Sequence, residues 1–319
     1  MAGIKRNAFT EAYKDDLYGY FFEEWPSEPT VWDQLFDIVP SDSAYTKFTS
    51  SIGLGELLEK PEGEAIQADT PMESYTVVCK NRTFARKVGF TYEAIKDAKK
   101  VDNMLRQQVG SWARGLYVTK EKFYAKFFNY GAYAAGYDVF NNTLTGIVDD
   151  ASGDKIYDSQ PFFGTHTDKA GNSYSTHNTS NTLSHANLKS TWLTYTQTNA
   201  KDERGEPIAI NPDVLLIPGG LKWTAQEILN TTLIPDSMDN TTNVLSSIVS
   251  PLEWRYLTDT NAWFLGKKKN GLVATEREGV SLDFYQDDET KDFYANILTR
   301  FGGCVDQWRF WYASNCSTS

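Results

Sequence analysis

Lys100 to Tyr130 reads KVDNMLRQQVGSWARGLYVTKEKFYAKFFNY, and the fold turns on how this stretch is read. Val101, Leu105, Val109, Trp112, Leu116, Phe123, Phe127 and Tyr130 recur at about 100° per residue and fall within one narrow arc. That spacing predicts one long amphipathic helix of roughly 45 Å at about 1.5 Å per residue, with Gly131 just past its end as a cap. Gly110 and Gly115 lie inside it and allow a bend or a close backbone approach. Trp112, an aromatic in an apolar stripe, reads as core packing.

Upstream, residues 53–71 are rich in Gly, Pro and acids, as in Glu59-Lys60-Pro61-Glu62-Gly63-Glu64. Too few apolar side chains are present there to order the segment by burial, which predicts a long exposed excursion. Two strand-like stretches follow, Ser74 to Lys80 and Thr83 to Thr91, read as paired and joined by Asn81-Arg82. In the second, Phe84, Arg86, Val88 and Phe90 share a face. The first fifty residues mix aromatics and acids irregularly, with Pro26, Pro29 and Pro40 interrupting any long element. They read as an extended arm lying on other surfaces.

Downstream, residues 141–181 are crowded with Gly, Asn, Asp, Ser and Thr and read as a long loop or irregular hairpin. A helix is expected from near Ser184, carrying Leu188, Trp192 and Tyr195 on one side and ending before the Asp202-Glu203-Arg204-Gly205 turn. Val214 to Ile217 suits a buried strand, broken by Pro218-Gly219-Gly220 and followed by a short helix over Leu221 to Leu229. The last sixty residues read as β-rich. Trp263-Phe264-Leu265 and Leu272-Val273-Ala274 flank an Asn270-Gly271 hairpin cue. Phe293 to Phe301 and Val305 to Tyr312 flank Gly302-Gly303, with Trp308, Phe310 and Tyr312 alternating onto one face.

A 319-residue chain with 40% hydrophobic and 14% aromatic residues can build one or two compact bodies. No run approaches the roughly 18–20 apolar residues of a membrane span, and the N-terminus lacks an apolar leader, so a soluble, cytoplasmically made protein is expected. The formal net charge of −11 opposes loose binding to phosphate backbones yet is compatible with a container through which packed DNA slides. Cys79, Cys304 and Cys316 are far apart without a CxxC, so neither a disulfide framework nor a zinc site is expected and a reduced compartment fits.

Chemistry is sparse. His166, His177 and His185 match no metal-binding spacing and read as loop histidines. Nucleophile elbows and phosphate-binding glycine loops are missing. Asp149-Asp150, Glu276 with Glu278, and Asp287-Asp288-Glu289 assemble on paper into a glycosidase pair, but an acidic protein carries many such solvated clusters. Lys267-Lys268-Lys269 reads as a solvated hairpin tip. No catalytic residue, cofactor or metal is therefore assigned.

The order of parts, an arm, an acidic excursion, paired strands, one long helix, a mixed middle and closing strands, resembles the major capsid proteins of tailed bacteriophages with the Hong Kong 97-like (Johnson) fold. Local sequence adds to the likeness, most similar to Mu-like head subunits: Pro218-Gly219-Gly220-Leu221 leading into Thr224-Ala225-Gln226-Glu227-Ile228-Leu229 resembles the strand-to-helix step of the family's A-domain. Ala262-Trp263-Phe264-Leu265, Glu276-Arg277-Glu278 and Trp308-Arg309-Phe310 look like its closing strands. The resemblance covers roughly residues 45 to 315.

It implies an α+β fold with an N-terminal arm (1–50), an E-loop and its strands (51–87), a P-domain with the spine helix (88–130), an A-domain (131–262) and closing strands returning to the P-domain (263–319). It also implies a non-enzymatic shell subunit, assembled in the bacterial cytoplasm into the hexamers and pentamers of an icosahedral virion capsid around double-stranded DNA. Implied partners are other copies of the chain, a separate scaffolding protein, a portal and decoration proteins, with no membrane. The candidate assembly contacts are Glu56, Glu59, Lys60, Glu62 and Glu64 of the excursion with Arg82 and Arg86 of the strand beyond it. The Lys–Asn cross-link of the fold's namesake is not carried over to Lys60, because no partner Asn or assisting Glu is identified. An encapsulin-like compartment shares the fold and remains an alternative, as does an acidic glycan-binding protein or hydrolase.

Overall fold

The computed structural model describes residues 19–23, 29–52, 57, 59–66, 68, 72–91, 101–131, 156, 158, 160–233, 242–287, 289–290 and 292–316. The long apolar stripe forms a 29-residue helix, α2 (Val101–Asn129), about 44 Å long. Val109, Trp112, Leu116, Phe123 and Phe127 are buried along it, as the period requires. Gly110 and Gly115 leave it unbroken. Gly131 does not take a left-handed cap conformation. Its lack of a side chain serves close packing instead, since a Cβ there would collide with the Phe127 carbonyl and meet the Phe163 ring at 2.8 Å.

Helix α2 lies against a four-stranded sheet, order β1-β11-β12-β4, built from β1 (Asp37–Pro40), β4 (Arg82–Phe90), β11 (Leu272–Gln286) and β12 (Phe293–Val305). The β11–β12 ribbon is antiparallel, with register shifts between Glu276 and Ser281; β1 joins it in parallel, Asp37 opposite Val273. Aromatic rings fill the space between helix and sheet. Phe84 stacks on Phe301 at 4.4 Å between centroids, and Phe123 meets Phe301 edge-on at 5.2 Å.

A second sheet, order β7-β13-β10-β8-β9, comprises β7 (His177–Asn178), β8 (Val214–Ile217), β9 (Ser250–Glu253), β10 (Trp263–Gly266) and β13 (Trp311–Ser314). Its central strands are buried on both faces, which explains the continuous apolar runs. Val214, Leu216, Phe264 and Trp311 join the core beneath α2. Leu215, Ile217, Trp263, Leu265 and Tyr312 face a separate core with Leu188, Tyr195, Ala225, Ile228 and Leu229. Those last residues come from α3 (His185–Leu193), its π-helical continuation Thr194–Asn199, and α4 (Lys222–Asn230). Ser184 caps α3, its side chain accepting from the Asn187 N–H at 3.2 Å. Within 141–181, β5 (Thr165–Thr167) and β6 (Ser173–Ser175) form the expected irregular hairpin; residues 141–155 lie outside the described residues.

Several expectations give way to tertiary pairing. Residues 29–40 do not lie away from their own subunit: Trp32, Leu35 and Phe36 of α1 (Trp32–Leu35) and its exit are buried in the main core, with Trp32 stacked on Tyr124 at 4.7 Å. Residues 1–18 lie outside the described residues. The strands β3 (Met72–Lys80) and β4 do not pair with each other; β3 pairs with β2 (Tyr45–Ile52), and β4 pairs with β12. The Asn270-Gly271 turn connects two different sheets, β10 in one and β11 in the other, so it closes no hairpin. Gly302-Gly303 makes no turn either. It lies inside β12, where a Cβ on Gly302 would strike the Lys80 carbonyl and one on Gly303 would sit 3.1 Å from the Tyr124 ring. Residues Trp308–Phe310 form a 3-10 turn, which breaks the alternation read for Trp308, Phe310 and Tyr312.

The cysteine reading is corrected too. Cys79 of β3 and Cys304 of β12 form a disulfide across 225 residues of sequence, with Cα atoms 5.2 Å apart. Both are fully buried beside Val77 and Val273. The pairing was hidden because only the packing of β3 across β12 brings the two positions together.

One buried carboxylate ties the N-terminal segment to the spine helix. Glu121 of α2 is fully buried; Oε1 accepts from the Val31 N–H at 2.8 Å, and Oε2 accepts from the Trp254 indole N–H. Burial pushes its carboxyl above the usual carboxylate range, against the pull of those two hydrogen bonds. The folded chain therefore binds this proton more tightly than the unfolded chain, so the cost of burying the charge grows as pH rises from the ordinary range through the raised value. Glu121→Gln removes that dependence. Urea midpoints of the variant relative to the parent should improve as pH rises through this window, and parallel pH curves would contradict the burial.

Candidate assembly interface

The exposed chemistry concentrates on the β2–β3 hairpin and what lies beyond its root. The hairpin pairs Tyr45 with Lys80 at one end and Ile52 with Met72 at the other, so the excursion between Ile52 and Met72 is carried outward on two strands. The chain turns from this small sheet into the main one through a single residue, Asn81, which is buried and fully engaged. Its side-chain amide donates to Ser41 Oγ at 2.7 Å and to the Ser43 carbonyl at 2.8 Å, and its Oδ1 accepts from Thr275 Oγ1 at 2.7 Å. With Cys79–Cys304 two residues away, the hairpin root is fixed both covalently and by hydrogen bonds. Higher up, Lys169 Nζ sits 4.3 Å from the Tyr75 ring centroid and ties β3 to the β5–β6 loop.

The sequence-predicted residues fall into two groups. Glu59, Lys60, Glu62 and Glu64 are exposed on the excursion, which has no regular structure over 59–61 and turns at Gly63 with φ +86. Glu56 lies outside the described residues. Arg82 and Arg86 stand on β4, the first half-buried and the second exposed. Within one subunit the acidic group is held out on the hairpin while the basic group belongs to the main sheet. Sequence reading missed two features here. Leu57 is 100% exposed and Ile66 82% exposed, so the acidic excursion also presents large apolar side chains. Lys87, beside Arg86, is exposed and lies 3.7 Å from the Tyr294 ring centroid.

Of the histidines and carboxylates considered for chemistry, His166, His185 and Glu276 make structural contacts, while Asp149, Asp150 and Asp288 lie outside the described residues. His166 is fully buried, its Nδ1 2.6 Å from Asp158 Oδ2 and its ring stacked on Trp308 at 4.5 Å. His185 Nε2 lies 3.2 Å from Asn243 Oδ1. Glu276 pairs with Lys120 of α2 at 2.6 Å. Among the described residues no three His, Cys, Asp or Glu side chains are grouped as metal ligands would be.

The model of the phage capsid protein family matches residues 74–314. Among solved structures, the capsid of Cyanophage P-SCSP1u aligns with a TM-score of 0.54 at 10% identity, over 92% of this chain and 89% of that one. The capsid of an empty GTA particle gives 0.54 at 11% identity, over 91% of each chain. The mature capsid of bacteriophage PhiM1 gives 0.54 at 7% identity, over 91% of this chain and 87% of that one. At such identities the likeness is one of fold alone. No curated protein matches the chain. With the family match running from β3 through β13, the chain belongs to the phage capsid protein family and is a structural major capsid subunit of the Hong Kong 97-like fold.

Proposed function

We propose that copies of this subunit form hexamers and pentamers that close around packaged double-stranded DNA, in the bacterial cytoplasm and with a separate scaffolding protein, portal and decoration proteins as partners. The E-loop spans the acidic excursion and its strands, and it lies across the neighbouring subunit, where Glu56, Glu59, Glu62 and Glu64 meet basic side chains including Arg82 and Arg86. Lys60 sits at the same contact as a solvated charge. What supports this is the placement of the excursion. It is held out on a braced hairpin and exposes Leu57 and Ile66 to solvent in its own subunit. A segment that buries nothing locally must recover the entropy of its ordering on another surface. The acidic character of the chain, at −11, fits a lining to which packed DNA does not adhere.

The test is to replace Glu56 to Met72 with a short Gly-Ser linker. Shortening a flexible loop changes the folding free energy by only about 1 kcal/mol, so circular dichroism and monomer solubility should be retained. Closed shells should be lost from electron micrographs. Shells indistinguishable from the parent's would remove the excursion from the assembly contacts.

A further inference from the structure

The β2–β3 hairpin rests on the main sheet through a small apolar cluster separate from the main core. Val77 and Phe48 of the hairpin share it with Val39 of β1, Val273 of β11 and the two half-cystines, Cys79 and Cys304. The rest of the root has the form of a hinge. Asn81 is the one residue between β3 and β4, and residues 41–44 make the other crossing, from β1 to β2. Both sulfur-bearing side chains are fully buried, on Cα atoms 5.2 Å apart. A free thiol packs as a small hydrophobe, so this cluster needs the two side chains but not the bond between them. The third thiol, Cys316, stands outside any exchange: burial, and then the Asp259 carboxylate, push it up to about 12, so it supplies no thiolate near neutral pH.

We propose that Cys79–Cys304 is a redox lock on this hinge, open while the chain is made and assembled in the reducing cytoplasm and closed once the finished shell meets oxidising surroundings. The inference rests on the shell-subunit reading above and adds when the hairpin becomes fixed. Cytoplasmic thiols keep such a pair reduced. In that state the hairpin is held by the Asn81 hydrogen bonds, the Lys169–Tyr75 contact and the small apolar cluster, a set of contacts that local opening can break. Opening carries Cys79 away on β3 and leaves Cys304 in place, because Cys304 is paired with Val273 inside the β11–β12 ribbon. Cys79 is then the thiol that reaches solvent. With a small soluble disulfide such as oxidised glutathione, the Cys79 thiolate attacks one sulfur and releases a glutathione thiolate. As the hinge closes, the Cys304 thiolate attacks the Cys79 sulfur of the mixed disulfide and releases the second glutathione. The two protons lost by the cysteines pass to the two leaving thiolates, so the cysteines are oxidised to one disulfide and one disulfide is reduced to two thiols. Closed, the bond joins positions 225 residues apart and blocks the hinge.

Trapping the thiols at the moment of lysis tests this. Bacteria making the protein are opened directly into denaturant with excess N-ethylmaleimide, and adducts per chain are counted by intact mass. Three adducts are expected, one on each cysteine, against one, on Cys316, for shells held with oxidised glutathione before denaturation. With oxidised glutathione, Cys304→Ala should accumulate a mixed disulfide on Cys79, while Cys79→Ala should remain unmodified. Amide hydrogen exchange in β2 and β3 should slow by at least about tenfold when the unassembled chain is oxidised, and Cys79→Ala with Cys304→Ala should exchange at the faster rate with or without oxidant. One adduct per chain at lysis, a mixed disulfide on Cys304 in place of Cys79, or exchange unmoved by oxidation would overturn the lock while leaving the shell reading intact. A parent chain that forms no shells in any condition would overturn the shell reading and the timing proposed here with it.

Discussion

Replacing Cys79 and Cys304 together by alanine is expected to lower the unfolding free energy of the subunit by about 3–5 kcal/mol. The bridge closes a loop of 225 residues, and the restriction it places on the unfolded chain grows with the logarithm of that length. Alanine keeps the surrounding Val77, Val273, Val39 and Phe48 in an apolar setting, so the measured loss reports the cross-link more than a polar misfit. Urea titrations of unassembled parent and variant under non-reducing conditions check it. Coincident midpoints would mean that the bridge contributes nothing to the fold. The parent treated with reductant in urea should approach the variant, because both sulfurs become accessible once the chain opens.

Trp112→Ala should cost about 3–5 kcal/mol and yield largely insoluble protein. Trp112 is 9% exposed and sits where α2 crosses the main sheet, opposite Phe84 and Ile297. Its loss enlarges an existing groove into a void that the packed helix and sheet do not collapse to fill. Trp112→Phe, which keeps most of the ring, should recover solubility. Parental solubility and melting temperature in the alanine variant, read by centrifugation and thermal unfolding, would contradict a packed spine.

Legibility in the sequence followed the range of the interactions. The spine helix, the Ser184 cap and the buried strand Val214–Ile217 were readable because periodicity, capping and an apolar run are local signals. Strand partners were not. Asn270-Gly271 carries strong hairpin chemistry, but Trp263–Gly266 finds better partners in Leu215 and Tyr312, and the turn becomes a crossing between sheets. Gly302-Gly303 reads as a break, and only the fold shows Lys80 and Tyr124 pressed against the places where side chains would stand. Cys79 and Cys304 are joined by nothing in sequence.

The candidate interface was half legible for the same reason. Acid-rich composition exposed the excursion, and the position of Arg86 on a strand was readable from alternation, whereas Arg82, read as part of the joint, opens β4. A groove lined by α2, β4 and β12 was not readable, because its residues lie up to 215 positions apart between Phe84 and Thr299. The complete exposure of Leu57 is likewise a property of the folded subunit and not of the acidic run that contains it.

The central claim is that this chain builds a closed shell from many copies of itself. Light scattering and electron microscopy of the purified protein, taken across salt and pH and with co-expressed scaffold, measure that most directly. The account predicts rings or closed shells above about a megadalton, a mass reached only by tens of subunits in a symmetric assembly. A compact monomer under every condition would contradict it.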